Sequence, residues 1–374
     1  MRKCLLLLFF CFTQLISNAQ IDSLRYKFIA PIDSVLNYVG RFDFSNNKQV
    51  RYDWSGTQIR FRFTGKSLAF HLNGGERNFF NVFIDDLPAQ VISSTKDSVI
   101  WVAKKLKKKE HTCILYKRTE GGMGQTIFSG VYIDKKAKVF PWSNIPLRRI
   151  EFIGNSITCG YGTEGKDRHE RFKPETENNF KSYASIVARA FNADFCILAH
   201  SGLGVVRNYG DTAKVSTKIT PMPGRIEQAL DTDPVLRWDV TKDRPQALVI
   251  NLGTNDFSTH PYPDKLVFKD AYTELIKKLR TFYGEIPIFC LAGPILDEPC
   301  YSYVKEMVED NKVLNKDGNL YFVGIPTALI DGELDLGSDQ HPNYSGQKKM
   351  AAQIVPVIAT VLKWDYDDSE LRKQ

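Results

Sequence analysis

Between about residues 39 and 139 the apolar positions fall in short runs, several of them alternating with polar ones: 50–54, 58–63, 67–72, 79–84, 98–102, 111–116 and 130–133. Strict alternation puts successive side chains on opposite faces of a strand. Turn-forming residues separate the runs, at Gly65, Gly74-Gly75, Asp85-Asp86 and Gly121-Gly122. Short strands punctuated in this way predict an all-β sandwich over residues 20–145. Trp54, Phe79, Phe80 and Trp101 are expected mostly in its core, because alternation buries every second side chain.

Past the segment Pro141-Trp142-Ser143-Asn144-Ile145-Pro146 the pattern changes. Continuous apolar runs at 150–153, 195–199, 247–252, 286–292 and 320–325 alternate with amphipathic stretches at 179–191, 264–283, 301–315 and 344–362. Apolar runs without alternation fit strands buried on both faces, and the helical spacing between them predicts a three-layer α/β/α domain over residues 146–374. Its centre is a five-stranded parallel sheet.

Residues 1–19 have the make-up of a secretory leader: Arg2 and Lys3, an apolar stretch ending at Phe12, then the small residues Ser17-Asn18-Ala19. That stretch is too short to span a bilayer, so the mature chain is expected without a transmembrane anchor, exported to the periplasm or outside the cell. Removing the leader takes two cations and no acid, lowering the net charge from +7 to +5. Spread over this length, that bias does not predict nucleic-acid binding, and the densest basic run, 104–109, is expected as a solvated loop or strand edge. The cysteines left are Cys113, Cys159, Cys196, Cys290 and Cys300. Their spacing makes no zinc site and no dense disulfide framework, so buried thiols with room for one bridge are expected, with no metal and no cofactor.

In an open parallel sheet ligands bind beyond the carboxyl ends of the strands. Here those ends run into Gly154-Asn155-Ser156, His200-Ser201-Gly202-Leu203-Gly204 and Gly253-Thr254-Asn255-Asp256, and after the fifth strand comes Asp339-Gln340-His341-Pro342-Asn343. Together they supply what acyl transfer needs. Ser156 is the candidate nucleophile, His341 the base and Asp339 the group that orients it. The backbone amides of Ser156 and Gly204 and the side-chain amide of Asn255 are the candidate oxyanion donors. Each has a plainer alternative: Ser156 as a helix cap, Asn255-Asp256 as a turn, Asp339 as a cap of the last helix, His341 as a loop residue. Their joint arrival at one rim favours chemistry. His169, His200 and His260 are scattered, as ordinary surface or core histidines are. Cys159 is expected to pack. GxSxG, HExxH and P-loop patterns are absent from the sequence.

The blocks GNSITCGYG at 154–162, Gly204, GTND at 253–256 and DQHPN at 339–343 resemble those of the SGNH (GDSL-like) hydrolases. With SGLGVVRNYG at 201–210 and the β-rich region ahead of them, they resemble more narrowly carbohydrate esterase family 2. That resemblance implies a jelly roll before an α/β/α domain, no metal, and removal of acetyl groups from polysaccharides such as xylan and glucomannan, often at the sugar 6-position. It also implies an acetylated carbohydrate as the molecular partner. Asn155 stands where the superfamily usually has Asp, and Gln340 occupies a slot where an aromatic can line the sugar site. Some relatives orient the histidine with a backbone carbonyl, which leaves a serine-histidine dyad open beside the triad. A lipase or thioesterase on the same domain, and an inert carbohydrate-binding protein, are the competing readings. The sandwich is expected to shape one wall of the cleft.

Overall fold

The computed structural model describes residues 21–372 apart from Glu76, Asp86, Thr95 and Asp297, so the expected leader, with Cys4 and Cys11, and the Asp86 turn position lie outside the described residues. Two antiparallel sheets face one another in the N-terminal part. The strands in chain order are β1 (Tyr26–Ile29), β2 (Asn37–Val39), β3 (Asp43–Asn46), β4 (Gln49–Tyr52), β5 (Gln58–Thr64) and β6 (Leu68–Asn73). They continue with β7 (Phe79–Ile84), β8 (Gln90–Ser93), β9 (Ser98–Ala103), β10 (Glu110–Lys117), β11 (Thr126–Asp134) and β12 (Val139–Phe140). One sheet runs β3-β4-β11-β6-β9 with β1 beside β11; the other runs β12-β5-β10-β7-β8 with β2 beside β5. Phe61, Phe63, Phe70, Leu72, Phe80, Leu115 and Phe128 fill the space between them, fully or almost fully buried. The seven short runs all contribute to strands, and the basic run forms the loop from β9 to β10. The short strands β1, β2, β3 and β8 escaped the sequence pattern, since three or four residues carry too little alternation to stand out.

The second half is built on β13 (Arg148–Gly154), β14 (Ala193–Ala199), β17 (Ala247–Asn251), β18 (Ile288–Ala292) and β19 (Leu320–Gly324), in the order β14-β13-β17-β18-β19 with every pair parallel. A hairpin of β15 (Gln228–Leu230) and β16 (Asp233–Arg237) lies apart from it. Helices α2 (Tyr183–Ala190) and α5 (Tyr344–Leu362) pack on one face of the parallel sheet, α3 (Lys265–Tyr283) and α4 (Cys300–Leu314) on the other. β13 shows why both faces are dry: Ile150 and Phe152 point to the α2/α5 core and Ile153 to the α3/α4 core. The side-chain hydroxyl of Ser182 caps α2 by accepting from Ser185 N.

The two halves share a core. Trp54, expected inside the sandwich, is fully buried in the α3/α4 cluster, and Tyr116 is buried in the α2/α5 cluster, where its hydroxyl bonds Asn179 and Ser185 at 2.7 and 2.8 Å. Truncating a buried tryptophan of this kind costs on the order of 3–5 kcal/mol. Buried ion pairs cross the same boundary, Arg41 to Glu151 at 3.3 Å and Arg60 to Asp194 at 2.6 Å. The five described cysteines are free thiols, and the bridge for which the sequence left room is not formed among them.

Candidate active site

β13 ends at Gly154, and the chain turns at once into the single-turn helix α1 (Ser156–Cys159). The Asn155 side chain accepts from Ile157 N at 3.1 Å, a cap that needs only an acceptor oxygen, which an asparagine supplies as well as an aspartate. Gly160 closes the turn in the left-handed region at φ 81°. This tight strand-to-helix junction holds Ser156 at the rim, on the wall of a cleft of about 640 Å³.

His341 comes to the same cleft from the loop before α5, with Nε2 2.8 Å from Ser156 Oγ. Burial pushes the imidazole down to about 4, against the opposing pull of the Asp339 carbonyl and carboxylate, so the ring is neutral at neutral pH and able to accept a proton. The Tyr161 ring packs on it at 4.3 Å between centroids and is itself stacked on Phe172 at 3.8 Å.

Asp339 does not complete a carboxylate triad. Its carboxylate accepts from Tyr161 Oη at 3.0 Å and Phe172 N at 3.1 Å, and from Arg171 at 3.3 Å. Although burial works the other way, these bonds hold the carboxyl below the usual range. The group facing His341 Nδ1, at 3.1 Å, is the main-chain oxygen of Asp339. Asp339 and Gln340 both take positive φ, 49° and 61°, held by Asp339 N to Glu170 O at 2.8 Å and Gln340 N to Arg168 O at 3.2 Å. That double left-handed turn swings the carbonyl, not the side chain, onto the ring.

Gly204 does not take the oxyanion-donor position expected of it. Its N–H donates to Asn208 Oδ1 at 3.2 Å and it does not line the cleft. It is glycine because a side chain there would collide with the Arg207 carbonyl and the Asp256 carboxylate. Asp256, fully buried, accepts from Val205 N, Val206 N and Arg207 N at 2.8, 2.8 and 2.9 Å, and burial raises its carboxyl to about 6. The glycine on the cleft wall is Gly202, at φ 80°. Two glycines two residues apart in SGLG offered the choice, and periodicity could not make it. Asn255 does line the cleft, with Nδ2 giving one hydrogen to Leu203 O at 2.8 Å and keeping the other.

The described residues along the cleft run from Ser156 to His341, so the sandwich contributes no wall, contrary to expectation. His169 is exposed, His200 is bonded to Asp231 at 2.5 Å, His260 stacks on Tyr262 at 3.9 Å, and none of the three lines the cleft. Among the described residues, Glu120, Cys159 and Glu177 form the group whose ligand atoms come within 4.8 Å of one another, all buried. Glu177 Oε1 accepts from Glu120 N at 3.0 Å and Glu120 Oε2 from Ser201 N at 2.6 Å, while Glu177 Oε2 is buried without a hydrogen-bond partner. No helix among the described residues is long and apolar enough to cross a membrane.

Residues 38–142 match the family described as carbohydrate esterase 2 N-terminal, and residues 152–349 match the GDSL-like lipase/acylhydrolase family. A solved family two carbohydrate esterase from Clostridium thermocellum, in complex with cellohexaose, is 35% identical with a TM-score of 0.81, covering 88% of this chain and 99% of that one. The chain belongs to carbohydrate esterase family 2. The chain is also 37% identical over 336 residues to the cellulase/esterase CelE of Acetivibrio thermocellus, across 87% of this chain and 39% of that protein. Over 214 residues it is 34% identical to an acetylxylan esterase/glucomannan deacetylase of Cellvibrio japonicus, 56% of each chain being covered. It thus spans about two fifths of the first relative and little more than half of the second.

Proposed function

We propose that this family 2 esterase removes O-acetyl groups from polysaccharide or oligosaccharide of the acetylxylan or glucomannan type, at positions that include the sugar 6-hydroxyl. The observation that carries this reading is the 2.8 Å hydrogen bond between Ser156 Oγ and His341 Nε2 inside a cleft of mixed polar and apolar lining. Ser156 Oγ attacks the acetyl carbonyl while His341 takes its proton. The tetrahedral oxyanion receives hydrogen bonds from the Ser156 and Gly202 amides and from Asn255. His341 then protonates the departing sugar alkoxide, and water repeats the sequence on the acetyl-enzyme.

A sugar substrate suits the rest of the cleft. Tyr209, 72% exposed on its wall, presents a ring face against which a pyranose can stack, while Gln340 and Arg171 supply polar groups elsewhere along the same cleft. Ile295 and Leu296 are the aliphatic lining, a short surface for an acetyl group and not a channel for a fatty chain. The leader-like residues 1–19 support export of the enzyme to the periplasm or beyond the cell, where such polymers are met.

The test is a panel of regiodefined acetylated mono- and oligosaccharides followed by NMR, with Ser156→Ala as control. Release of acetate by the wild type and not by the variant is expected. Faster turnover of long acyl esters than of acetyl esters would transfer the site to lipid or thioester substrates. A second reading, retention of an unesterified β-glucan chain in the same cleft, is favoured by the cellohexaose complex of the Clostridium relative. Binding of cellohexaose by Ser156→Ala with no acetate released by the wild type from any panel member would leave binding alone.

A further inference from the structure

The Gly202 segment that faces the cleft is hydrogen-bonded to a side chain of the β-sandwich half. Glu120 sits just after β10, 2% exposed, and its Oε2 reaches across the domain boundary to accept from Ser201 N at 2.6 Å. We propose that Glu120 is a positioning residue for ester hydrolysis, fixing the Ser201–Gly202 backbone so that the Gly202 N–H points at the developing oxyanion. The inference rests on the esterase reading above.

Glu120 is itself held from several sides. Its own N–H donates to Glu177 Oε1 at 3.0 Å, its carbonyl accepts from Lys117 Nζ at 3.3 Å, and Cys159 Sγ, on the helix that begins at Ser156, lies 3.5 Å from its Oε2. The same sandwich loop is pressed against the start of the Gly202 segment. Gly121 lies against Asp231 so closely that no side chain would fit, and Asp231 in turn holds His200 Nδ1 at 2.5 Å. His200 is thus fixed through its ring and Ser201 through its amide, one residue apart.

Gly202 needs such external support. At φ 80°, with no atom nearer than 3.8 Å to where its side chain would be, its carbonyl is held by Tyr209 N at 2.7 Å while its own N–H is left to be aimed, and glycine is the residue with the most backbone freedom to lose. Oxyanion donors work because they are aimed before the reaction, and displacement on the order of 0.5 Å degrades such a site. A hydrogen bond to a carboxylate on the preceding peptide is roughly twice as strong as one to a neutral acceptor, which suits this task. The sandwich therefore acts on catalysis from behind the cleft, without touching substrate.

The test compares Glu120→Met with Glu120→Gln in the full chain, two variants of similar length that differ in whether an acceptor oxygen remains. With circular dichroism showing native structure, E120M is expected to lose about 30- to 100-fold in kcat on a short acetyl ester, with KM changed less than about threefold, as for a misplaced oxyanion donor. E120Q, which keeps a neutral acceptor, is expected to lose about three- to tenfold in kcat at unchanged KM. Equal kcat losses in the two variants, or a kcat within twofold of wild type in E120M, would overturn the proposal. If E120M does not fold, a wild-type kcat in E120Q would overturn it alone. Dialysis against a chelator should leave wild-type kcat unchanged; a loss restored by a divalent cation would reassign Glu120, Cys159 and Glu177 to a metal and overturn it too. Ser156→Ala, run beside them, separates the two claims: activity surviving in that variant refutes the esterase mechanism, not the role of Glu120 alone.

Discussion

The main-chain oxygen of Asp339 lies 3.1 Å from Nδ1 of His341, while the carboxylate of the same residue is bonded to Tyr161 at 3.0 Å. An imidazole so oriented has Nδ1 protonated and Nε2 free to take the serine proton, which is the tautomer the reaction needs. Asp339→Asn keeps the backbone, tolerates a positive φ, and leaves the carbonyl in place. Its kcat on a short acetyl ester is therefore expected within about tenfold of wild type, where a carboxylate triad would lose on the order of 10⁴. Steady-state kinetics of Asp339→Asn beside His341→Ala, the latter expected to fall by at least about 10³, checks this.

The acidity of the base predicts a pH profile. Burial holds His341 down to about 4 instead of its ordinary 6.5. The acid limb of kcat/KM reports the free enzyme's base, so half-maximal activity is expected near pH 4. Linkage has the matching sign. Between 6.5 and about 4 the unfolded chain binds a proton that the folded chain refuses, so this histidine's contribution to stability is full above 6.5 and falls away as the pH drops through that window. A kcat/KM limb centred at 6.5 would show the ring to be solvated in the working enzyme.

Asn255 offers a donor that the ground state uses only in part. Asn255→Ala should lower kcat by on the order of 10² to 10³ with a small change in KM. Should the loss fall wholly on KM, the amide binds substrate and does not stabilise the oxyanion.

The turn from Gly204 to Arg207 depends on Asp256, one buried carboxylate serving three backbone N–H groups. Asp256→Ala leaves all three without their acceptor, at roughly 1–3 kcal/mol each, so a loss of about 3 kcal/mol or more is expected. Asp256→Asn keeps one acceptor oxygen and should lose less. Denaturant unfolding of both variants decides it, and equal stability to wild type in Asp256→Ala would show that the turn holds without this anchor.

Hydrophobic periodicity is a local property, and the elements it governs were legible in the chain itself: α5 begins and ends at the residues the pattern names, and all five parallel strands stand where the continuous apolar runs lie. Ser156, His341 and Asn255 were legible too, because a strand end in a parallel sheet has one place to go and these polar residues follow strand ends or lie just before α5. What the pattern could not carry is direction within a turn. Whether Asp339 offers His341 a carboxylate or a carbonyl depends on the sign of φ at 339 and 340, and that is set by hydrogen bonds to the carbonyls of Glu170 and Arg168, far away in sequence. Which glycine of SGLG meets the cleft depends on Asp256 gathering the amides of Val205 to Arg207, which turns Gly204 inward and leaves Gly202 on the cleft wall. The burial of Trp54 in the other domain's core and the reach of Glu120 to Ser201 arise only where two separately patterned halves meet, because a hydrogen bond or a packed ring depends on distance in space, which alternation along the chain does not encode.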